Sequence, residues 1–230
     1  MKTIDVVSLF PEIILNYLDS DPFKKNYPTD ISISTHQLRD FAETKHKKVD
    51  DTQYGPEPGM VLMPGPLSNA VKFINQKRKQ KPFTILLSPQ GSVLTHSLLE
   101  SLHRKDSMIL VCGRYEGVDE RFIEDNIDLE LSVGDFVLSG GELPSLLLIE
   151  ALSRFSPGFL GNKNSFENDS FSKNFVSKLK GTVYTKPRIY NGKEVPEVLL
   201  SGDHKKIFEW REKISLERTE KRRNDLINRT

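Results

Sequence analysis

Short apolar segments that alternate with helical ones are the feature that most constrains how this chain can fold. Residues 85–87 and 109–111 are the clearest, because they read ILL and ILV with no polar residue among them. Uninterrupted apolar strands of this kind belong at the buried centre of a parallel sheet. Further strands are predicted at 3–9 and 31–35, with helices between the strands. The pattern therefore predicts an α/β fold with a mainly parallel sheet.

Helices are predicted where apolar residues recur at helical spacing or where a proline opens the segment. One begins at Pro11 and ends near residue 19, and another follows the turn at 88–91 directly and ends near residue 104. The stretch 39–63 is polar and broken by Pro and Gly, so we predict an irregular, functional loop outside the core. Further helices are predicted at 67–79, at 144–155, and along an apolar stripe of Ile207, Trp210 and Ile214.

The 230 residues suffice for one large domain or two smaller ones. Residues 161–174, GNKNSFENDSFSKN, contain no aliphatic residue, which is typical of a linker or a lid. We therefore predict a large domain over 1–160, a flexible linker over 161–174 and a small helical domain over 175–230.

Several classes of protein are excluded by composition and by missing motifs. The single cysteine, Cys112, excludes an intramolecular disulfide framework, and its place after an apolar run predicts an inert buried thiol. No dinucleotide-binding G-x-G-x-x-G, P-loop, G-x-S-x-G or H-E-x-x-H motif is present, and the five histidines do not pair at zinc-ligand spacing. No export signal or membrane-length apolar run is recognisable, so we expect a soluble cytoplasmic protein without a membrane partner.

Glycine-rich turns follow the strands at the carboxyl edge of the predicted sheet, where ligands bind in parallel sheets. They are SPQG at 88–91, GRYEG at 113–117 and SVGDFVLSGGELP at 132–144, and five of the 14 glycines lie between Gly113 and Gly141. Glycine lets the backbone approach a flat ligand closely. From the residues alone, a ligand site and a set of turns that merely pack against one another are equal alternatives.

The overall charge balance hides regions of opposite sign. The chain carries 33 Lys and Arg against 32 Asp and Glu, and the net charge of +1 at first argues against a nucleic-acid partner. However, residues 113–150 carry ten acidic and two basic side chains, whereas 170–193 carry six basic and none acidic. Residues 70–81 add five basic side chains, and 203–230 carry nine basic and six acidic ones. Basic stretches suit RNA, although each one alone is more typical of a solvated helix face.

Ten short motifs, in order along the chain, carry a family resemblance. The first five are SLFPE at 8–12, VDDTQYGPEPGM at 49–60, LSPQG at 87–91, LVCGRYEGVDER at 110–121 and VGDFVLSGGELP at 133–144. The others are SRF at 153–155, NDSF at 168–171, YTKP at 184–187, EVPEVLLSGDH at 194–204 and SLERT at 215–219. The set resembles the bacterial tRNA (guanine-N1)-methyltransferases nearly from end to end.

This resemblance implies a SPOUT-class α/β domain over 1–160, in which a trefoil-knotted, mainly parallel sheet has helices on both faces. It implies S-adenosylmethionine as the cofactor, a homodimer whose active sites are shared between the chains, and tRNA binding by 175–230. The implied reaction methylates N1 of the guanosine immediately 3′ of the tRNA anticodon, position 37. The family also implies magnesium, with Glu116 as a candidate contact and no further metal ligands named.

The same motifs imply which residues form the site. Asp169 is the implied general base for the N1 proton, and Arg154 is the implied cation that stabilises charge on O6. From the residues alone, Asp169 is more typical of an N-cap for a helix that begins near Ser170, and Arg154 could complement a helix dipole. The implied cofactor-binding residues are Leu87, Ser88, Pro89, Gly113, Tyr115, Glu116, Gly117, Ser132, Val133, Gly134, Asp135, Phe136, Val137, Leu138, Gly140, Gly141 and Pro144.

The chain departs from the family pattern in the polar loop at 39–59, which is a candidate contact for the target base. The family sequence GGGPGM is GPEPGM at 55–60, so Pro56 restricts the backbone and Glu57 adds a negative charge near the expected RNA. Val133 and Phe136 replace Ile and Tyr, which are milder changes. Three hypotheses follow: an active tRNA guanine-N1 methyltransferase, a related enzyme with another RNA target such as a ribose 2′-oxygen, and an RNA-binding protein without turnover. The pair Asp169 and Arg154 favours the first.

Overall fold

Five strands of the amino-terminal part form one parallel sheet in a computed structural model that describes residues 1–159, 169–172 and 178–227. Contacts divide the chain into two units, Met1–Gly161 and Asn162–Thr230, and the sheet belongs to the first. Its strands are β1 (Lys2–Ser8), β2 (Ile31–Gln37), β5 (Phe83–Val93), β6 (Ser107–Cys112) and β7 (Leu129–Ser132), while β3 (Asp50–Thr52) and β4 (Met60–Leu62) form a separate antiparallel pair. The order across the sheet is β2-β1-β6-β5-β7, and every neighbouring pair is parallel.

Helices cover both faces of the sheet. They are α1 (Pro11–Leu18), α2 (Asp21–Lys25), α3 (Pro64–Lys77), α4 (His96–His103), α5 (Glu120–Asn126) and α6 (Glu142–Ser153). The central strand β6 shows how the two layers arise, because successive side chains of a strand point to opposite faces. Met108, Leu110 and Cys112 are buried with residues of α1, α4 and α6, whereas Ile109 and Val111 are buried with residues of α3 and α5. The predicted α/β class with a parallel sheet is confirmed.

The turn at 88–91 corrects one predicted boundary. β5 does not end at Leu87, because after the irregular segment 88–91 the strand pairs with β7 again, Ser92 opposite Leu131. The next helix therefore begins at His96 rather than directly after the turn, and the Thr95 hydroxyl caps it by accepting the Leu98 N–H at 3.3 Å. The hydrogen bonds of β7 compete with helix formation here and extend the strand.

The polar stretch 39–63 corrects a second prediction. We predict an irregular loop outside the core, yet the stretch contains β3 and β4 and contributes fully buried side chains. Val49 and Leu62 are 0% exposed and pack with α3 and β6. Isolated apolar residues in a polar sequence give no periodic signal. The hydropathy pattern therefore does not predict that this stretch contributes side chains to the core.

The second unit contains α7 (His204–Arg222) and the hairpin strands β8 (Ile189–Tyr190) and β9 (Lys193–Glu194). Buried hydroxyls join α7 to the segment at 178–180: Ser215 Oγ donates to the Leu179 carbonyl at 2.6 Å, and Thr219 Oγ1 accepts the Leu179 N–H at 2.9 Å. Of the linker predicted at 161–174, only 169–172 lie within the described residues. Among the helices of the described residues, none is long and apolar enough to cross a membrane.

Candidate functional site

An open cleft with a volume of about 260 Å³ lies beside the irregular part of β5 and the carboxyl ends of β6 and β7. Three segments form it: the irregular part of β5, the turn after β6, and the loop between β7 and α6. These are the three glycine-rich segments that the sequence places at the carboxyl edge of the sheet. The predicted cofactor-binding residues that line the cleft are Leu87, Ser88, Pro89, Gly113, Tyr115, Glu116, Gly117, Ser132, Val133, Gly134, Phe136, Val137, Leu138, Gly140, Gly141 and Pro144.

Asp135 is the one predicted cofactor-binding residue that does not line this cleft. Other residues line it that the sequence analysis does not single out: Leu86, Gln90, Arg114, Val118, Glu120, Ile123, Glu130, Leu131 and Ser139. Four of the nine, Gln90, Arg114, Val118 and Ser139, lie inside the family motifs directly beside a predicted residue. Leu86, Glu130 and Leu131 lie in strands and Glu120 and Ile123 in α5, outside the glycine-rich turns on which the prediction rests.

Two glycines allow the walls of the cleft to approach one another. A Cβ on Gly91 would collide with the backbone of Glu130 and Leu131, so the irregular part of β5 can lie against β7 only with glycine there. A Cβ on Gly141 would lie 2.6 Å from the Cα of Cys112, and the Gly141 N–H donates to the Gly113 carbonyl at 2.9 Å. The loops therefore pack against the strands through backbone atoms, which leaves main-chain groups at the cleft surface.

A buried ion pair fixes the turn after β6 to the start of α6. Glu142 is 2% exposed, accepts a hydrogen bond from Ser8 Oγ at 2.7 Å, and lies 3.3 Å from an Arg114 guanidinium nitrogen. The guanidinium also lies 4.5 Å from the centre of the Phe10 ring. This network uses the SLFPE motif at 8–12 and the GGELP end of the motif at 133–144. The sequence feature that could have predicted this network is the presence of polar residues, Ser8, Arg114 and Glu142, within motifs that are partly apolar.

The polar stretch 39–63 reaches the cleft through β4. The Glu116 N–H donates to the Met60 carbonyl at 3.0 Å, and the Leu62 N–H donates to the Gly117 carbonyl at 3.0 Å. Asp119 continues this pattern by donating its N–H to the Leu62 carbonyl at 3.1 Å. The turn at 114–117 therefore belongs to the cleft on one side and to the hairpin of β3 and β4 on the other.

The two predicted catalytic residues belong to different units. Arg154 is the C-cap residue of α6 in the first unit, half-buried, and does not line the cleft. Asp169 belongs to the second unit, where its carboxylate lies 3.5 Å from the Lys180 ammonium. Residues 169–172 form a turn, and residues 173–177, into which the helix expected near Ser170 would extend, lie outside the described residues.

Most of the charged side chains that line the cleft are acidic. Glu116, Glu120 and Glu130 line it, and among its described lining residues Arg114 is the one cation. Behind the wall, burial raises the pKa of the Cys112 thiol to about 12. Cys112 is therefore a neutral packing group, as predicted. The described residues contain no cluster of three or more His, Cys, Asp or Glu side chains that could hold a metal ion.

Comparison with known proteins decides the family. The family model described as tRNA (Guanine-1)-methyltransferase TrmD matches residues 1–229. The chain belongs to this family. The family resemblance drawn from the motifs is therefore confirmed.

Similar curated proteins carry the name tRNA (guanine-N(1)-)-methyltransferase. The one from Ruminiclostridium cellulolyticum is 44% identical over 226 residues, which cover 98% of this chain and 96% of the relative. The one from Pseudoalteromonas atlantica is 46% identical over 224 residues, covering 97% and 83% respectively. A relative from Clostridioides difficile is 43% identical over 227 residues, covering 98% and 97%. The similarity thus extends over both units.

Proposed function

We propose that this TrmD family member transfers a methyl group from S-adenosylmethionine to N1 of a guanosine in tRNA, at position 37, immediately 3′ of the anticodon. One observation carries the proposal: the three segments implied by the family motifs converge on a single cleft at the carboxyl edge of the sheet. The full-length family match supports the same reaction class. Acting on tRNA, the enzyme would work in the cytoplasm.

The cleft residues fit the methyl donor. S-adenosylmethionine supplies an electrophilic methyl group on a cationic sulfur. Main-chain groups of Gly113, Gly140 and the stretch 132–138 would bind its adenosine and methionine parts, because these segments line the cleft and glycine lets a backbone approach a ligand closely. The carboxylates of Glu116 and its acidic neighbours suit a cationic group. The buried Nε–H of Arg114 has no hydrogen-bond partner among the described residues, so it is a donor that a bound molecule could satisfy.

Asp169 and Arg154 would act on the guanine. N1 of guanine holds a proton and is a poor nucleophile, so a base must remove that proton as the methyl group is transferred. In our proposal Asp169 accepts this proton, a role typically worth about 10²–10⁴ in rate. Arg154 donates hydrogen bonds to O6, where negative charge develops. One partner of Asp169 in the structure, Lys180, is about two-fifths exposed, and exposed ion pairs of this kind contribute little to stability.

Magnesium has no step in this proposal. The expectation from the family names Glu116 as a candidate contact, and Glu116 lines the cleft. No group of three or more potential ligands lies around it within the described part of the chain. The side chains of the described residues therefore do not form a cage of their own for the ion.

We further propose a homodimer in which each active site uses residues of both chains. An exposed apolar face on α6 supports an interface, because Leu143 is 59% exposed and Leu147, one turn later, is 48% exposed. The buried apolar residues of the same helix, Leu148 and Ile149, point into the core. A helix that is apolar on two faces is typical of one packed on both.

The RNA would be held by basic side chains outside the cleft. Residues 170–193 carry six basic and no acidic side chains, and 203–230 carry nine basic side chains. These stretches would contact phosphates, whereas the polar loop at 39–59 would contact the target base and its neighbour. The guanine must leave the anticodon stack to reach the cleft, at a cost of a few kcal/mol.

Methyl transfer to defined tRNAs tests the proposed reaction. The chain is incubated with labelled methyl donor and unmodified tRNA that carries either guanosine or adenosine at position 37. We expect label only in the guanosine tRNA, at N1. Label at another atom would instead support a different RNA target, and donor and tRNA binding without transfer would support a non-catalytic RNA-binding protein. Either result would overturn the proposal.

Substitution of Asp169 tests the proposed base. Asp169→Asn keeps the size of the side chain but cannot accept the proton, so we expect a loss of about 10²–10⁴ in kcat with donor and tRNA affinity kept. Mixing Asp169→Asn chains with Arg154→Ala chains tests whether sites are shared, because one of the two sites in a mixed dimer then has both residues intact. Recovery of activity on mixing supports shared sites, and no recovery contradicts them.

A further inference from the structure

The main chain of Glu116 is held from two sides. Within the turn, the Gly117 N–H donates to the Arg114 carbonyl at 3.1 Å. From β4, the Met60 carbonyl accepts the Glu116 N–H at 3.0 Å. The backbone at this point is therefore fixed, whereas the Glu116 side chain is exposed and lines the cleft. Its position must come from whatever the side chain packs against.

The side chain of Glu116 packs against the Cα of Gly59, the residue just before β4. A Cβ on Gly59 would collide with Cγ of Glu116 and would lie 3.0 Å from its Cδ and 3.1 Å from its Oε1. The Glu116 side chain thus occupies the space that any other residue at 59 would fill. The backbone at Gly59 has φ +132°, a conformation that only glycine adopts readily. The sequence supplies glycine here even though two neighbouring positions of the loop, Pro56 and Glu57, differ from the family pattern.

We propose that Gly59 is a positioning residue that determines where the Glu116 carboxylate lies in the methyl-donor cleft. The inference rests on the proposed function, because it matters for catalysis only if the cleft binds the donor. It joins the polar loop, which carries Gly59, to the donor side of the site through one side-chain contact. The loop must therefore hold its hairpin conformation for the Glu116 carboxylate to be in place.

Alanine at position 59 is expected to move Glu116 rather than to unfold the protein. The atoms in the way belong to a flexible side chain, which can rotate aside, and not to backbone. Gly55 provides a matched control in the same loop. Its φ of +102° imposes a similar backbone strain on alanine, but a Cβ there would meet nothing within 4 Å.

A double-substitution cycle separates the contact from the strain. Gly59→Ala, Gly55→Ala, Glu116→Ala and the double variant Gly59→Ala/Glu116→Ala are compared in methyl transfer, with kcat and KM for tRNA measured separately. We expect Gly59→Ala to lower kcat about 10-fold or more beyond Gly55→Ala, because small displacements of site groups are costly. In the Glu116→Ala background, Gly59→Ala should cost no more than Gly55→Ala does in the wild type. Independent, multiplying effects of Gly59→Ala and Glu116→Ala would overturn the inference.

A spectroscopic measurement keeps this test separate from the proposed function. The chain is labelled with carbon-13 at the glutamate carboxyl groups, and the Glu116 signal is assigned by its loss in Glu116→Gln. We expect Gly59→Ala to shift this signal and Gly55→Ala to leave it unchanged. An unchanged signal in Gly59→Ala overturns the inference whether or not the wild type transfers methyl groups. Absence of transfer by the wild type, with the expected shift present, overturns only the proposed function.

Discussion

Each of the two units of this chain is stabilised internally by a different kind of interaction. In the first unit, aliphatic side chains on both faces of the sheet are almost completely buried, for example Ile85 and Ile109 at 0% exposure. In the described part of the second unit the buried residues are Ser172, Ser215, Thr219 and Leu226, three of which carry hydroxyls. The predicted apolar stripe of α7 is only half-buried there.

This difference gives the two units different sources of stability. Apolar burial contributes roughly 25 cal/mol per Å² and needs no exact partner, so the first unit can hold a cleft with many uncovered main-chain groups. Hydroxyl contacts contribute about 0.5–1.5 kcal/mol each and depend on geometry. The described part of the second unit thus buries little apolar surface, and several of its cations, such as Lys178 and Arg188, form ion pairs at the surface. Substitutions within each unit test this difference.

The largest effect is expected in the core of the first unit. Ile74 on α3 is 1% exposed and packs in the cluster between α3 and the sheet. Ile74→Ala removes buried methyl groups and leaves a cavity, so we expect a loss of about 2–5 kcal/mol in the free energy of unfolding. Lys72→Ala on the exposed face of the same helix is the control and should change stability by less than about 0.5 kcal/mol. Denaturant unfolding followed by circular dichroism measures both, and equal effects would contradict the assignment of this core.

A buried charge in the first unit should make it sensitive to acid. Asp5 on β1 is 1% exposed; burial alone would raise its pKa, but hydrogen bonds from His36 and Arg78 outweigh burial and lower the pKa below its ordinary value near 3.8. The stabilisation from a lowered carboxyl pKa is complete above the unfolded value and is lost as the pH falls through the folded value. We therefore expect the wild type to lose stability below about pH 4, where the carboxylates of the unfolded chain titrate.

Asp5→Asn tests this charge directly. At pH 7 we expect it to cost about 1–3 kcal/mol, because charged hydrogen bonds to Arg78 are lost. The difference between variant and wild type should shrink as the pH falls towards 2. Thermal melting across this pH range measures the difference. A constant difference at every pH would show that the charge of Asp5 does not contribute.

The hydroxyl of Thr219 gives the corresponding prediction in the second unit. Thr219→Val keeps the shape of the side chain but removes the acceptor for the Leu179 N–H, so we expect a loss of about 1 kcal/mol in local stability. Hydrogen exchange at the Leu179 amide measures it, and the amides of β6 in the first unit should not change. Thr219→Ser retains the hydroxyl and should protect the Leu179 amide as the wild type does. Faster exchange in both variants would point to a packing effect of the methyl group instead.

The sequence predicts the sheet well because its strands carry a strong local signal. The apolar segments at 85–87 and 109–111 need burial on both faces, and only a central strand provides it. Short elements such as α2, α5 and β7 escape prediction, since five to seven residues give too little periodicity for a helix and β7 is held mainly by pairing with β5. The core role of Val49 and Leu62 also escapes, because it depends on contacts distant in sequence.

The residues of the candidate site likewise divide into those that the sequence predicts and those that it does not. Glycine-rich turns after strands, together with a family resemblance, identify sixteen of the residues that line the cleft. The link from Gly59 to Glu116 and the pair of Arg114 with Glu142 escape, because each joins residues from separate motifs. Arg154 does not line the cleft and Asp169 belongs to the second unit, and the roles proposed for both rest on the family motifs. Local sequence signals thus identify backbone-lined sites more readily than side-chain networks.

The smallest effect is expected from one lysine on the surface of the second unit. Lys193 in β9 is exposed, and in our proposal it contacts a tRNA phosphate. Losing one phosphate contact should lower the slope of log affinity against log salt by about 0.7–0.9 and weaken binding only a few-fold at moderate salt. Lys24→Ala, an exposed lysine of the first unit, is the control and should leave the slope unchanged. An unchanged slope in Lys193→Ala would show that the β8–β9 hairpin does not contact the RNA. Equal changes in both variants would mean that overall charge, rather than the second unit, attracts the tRNA.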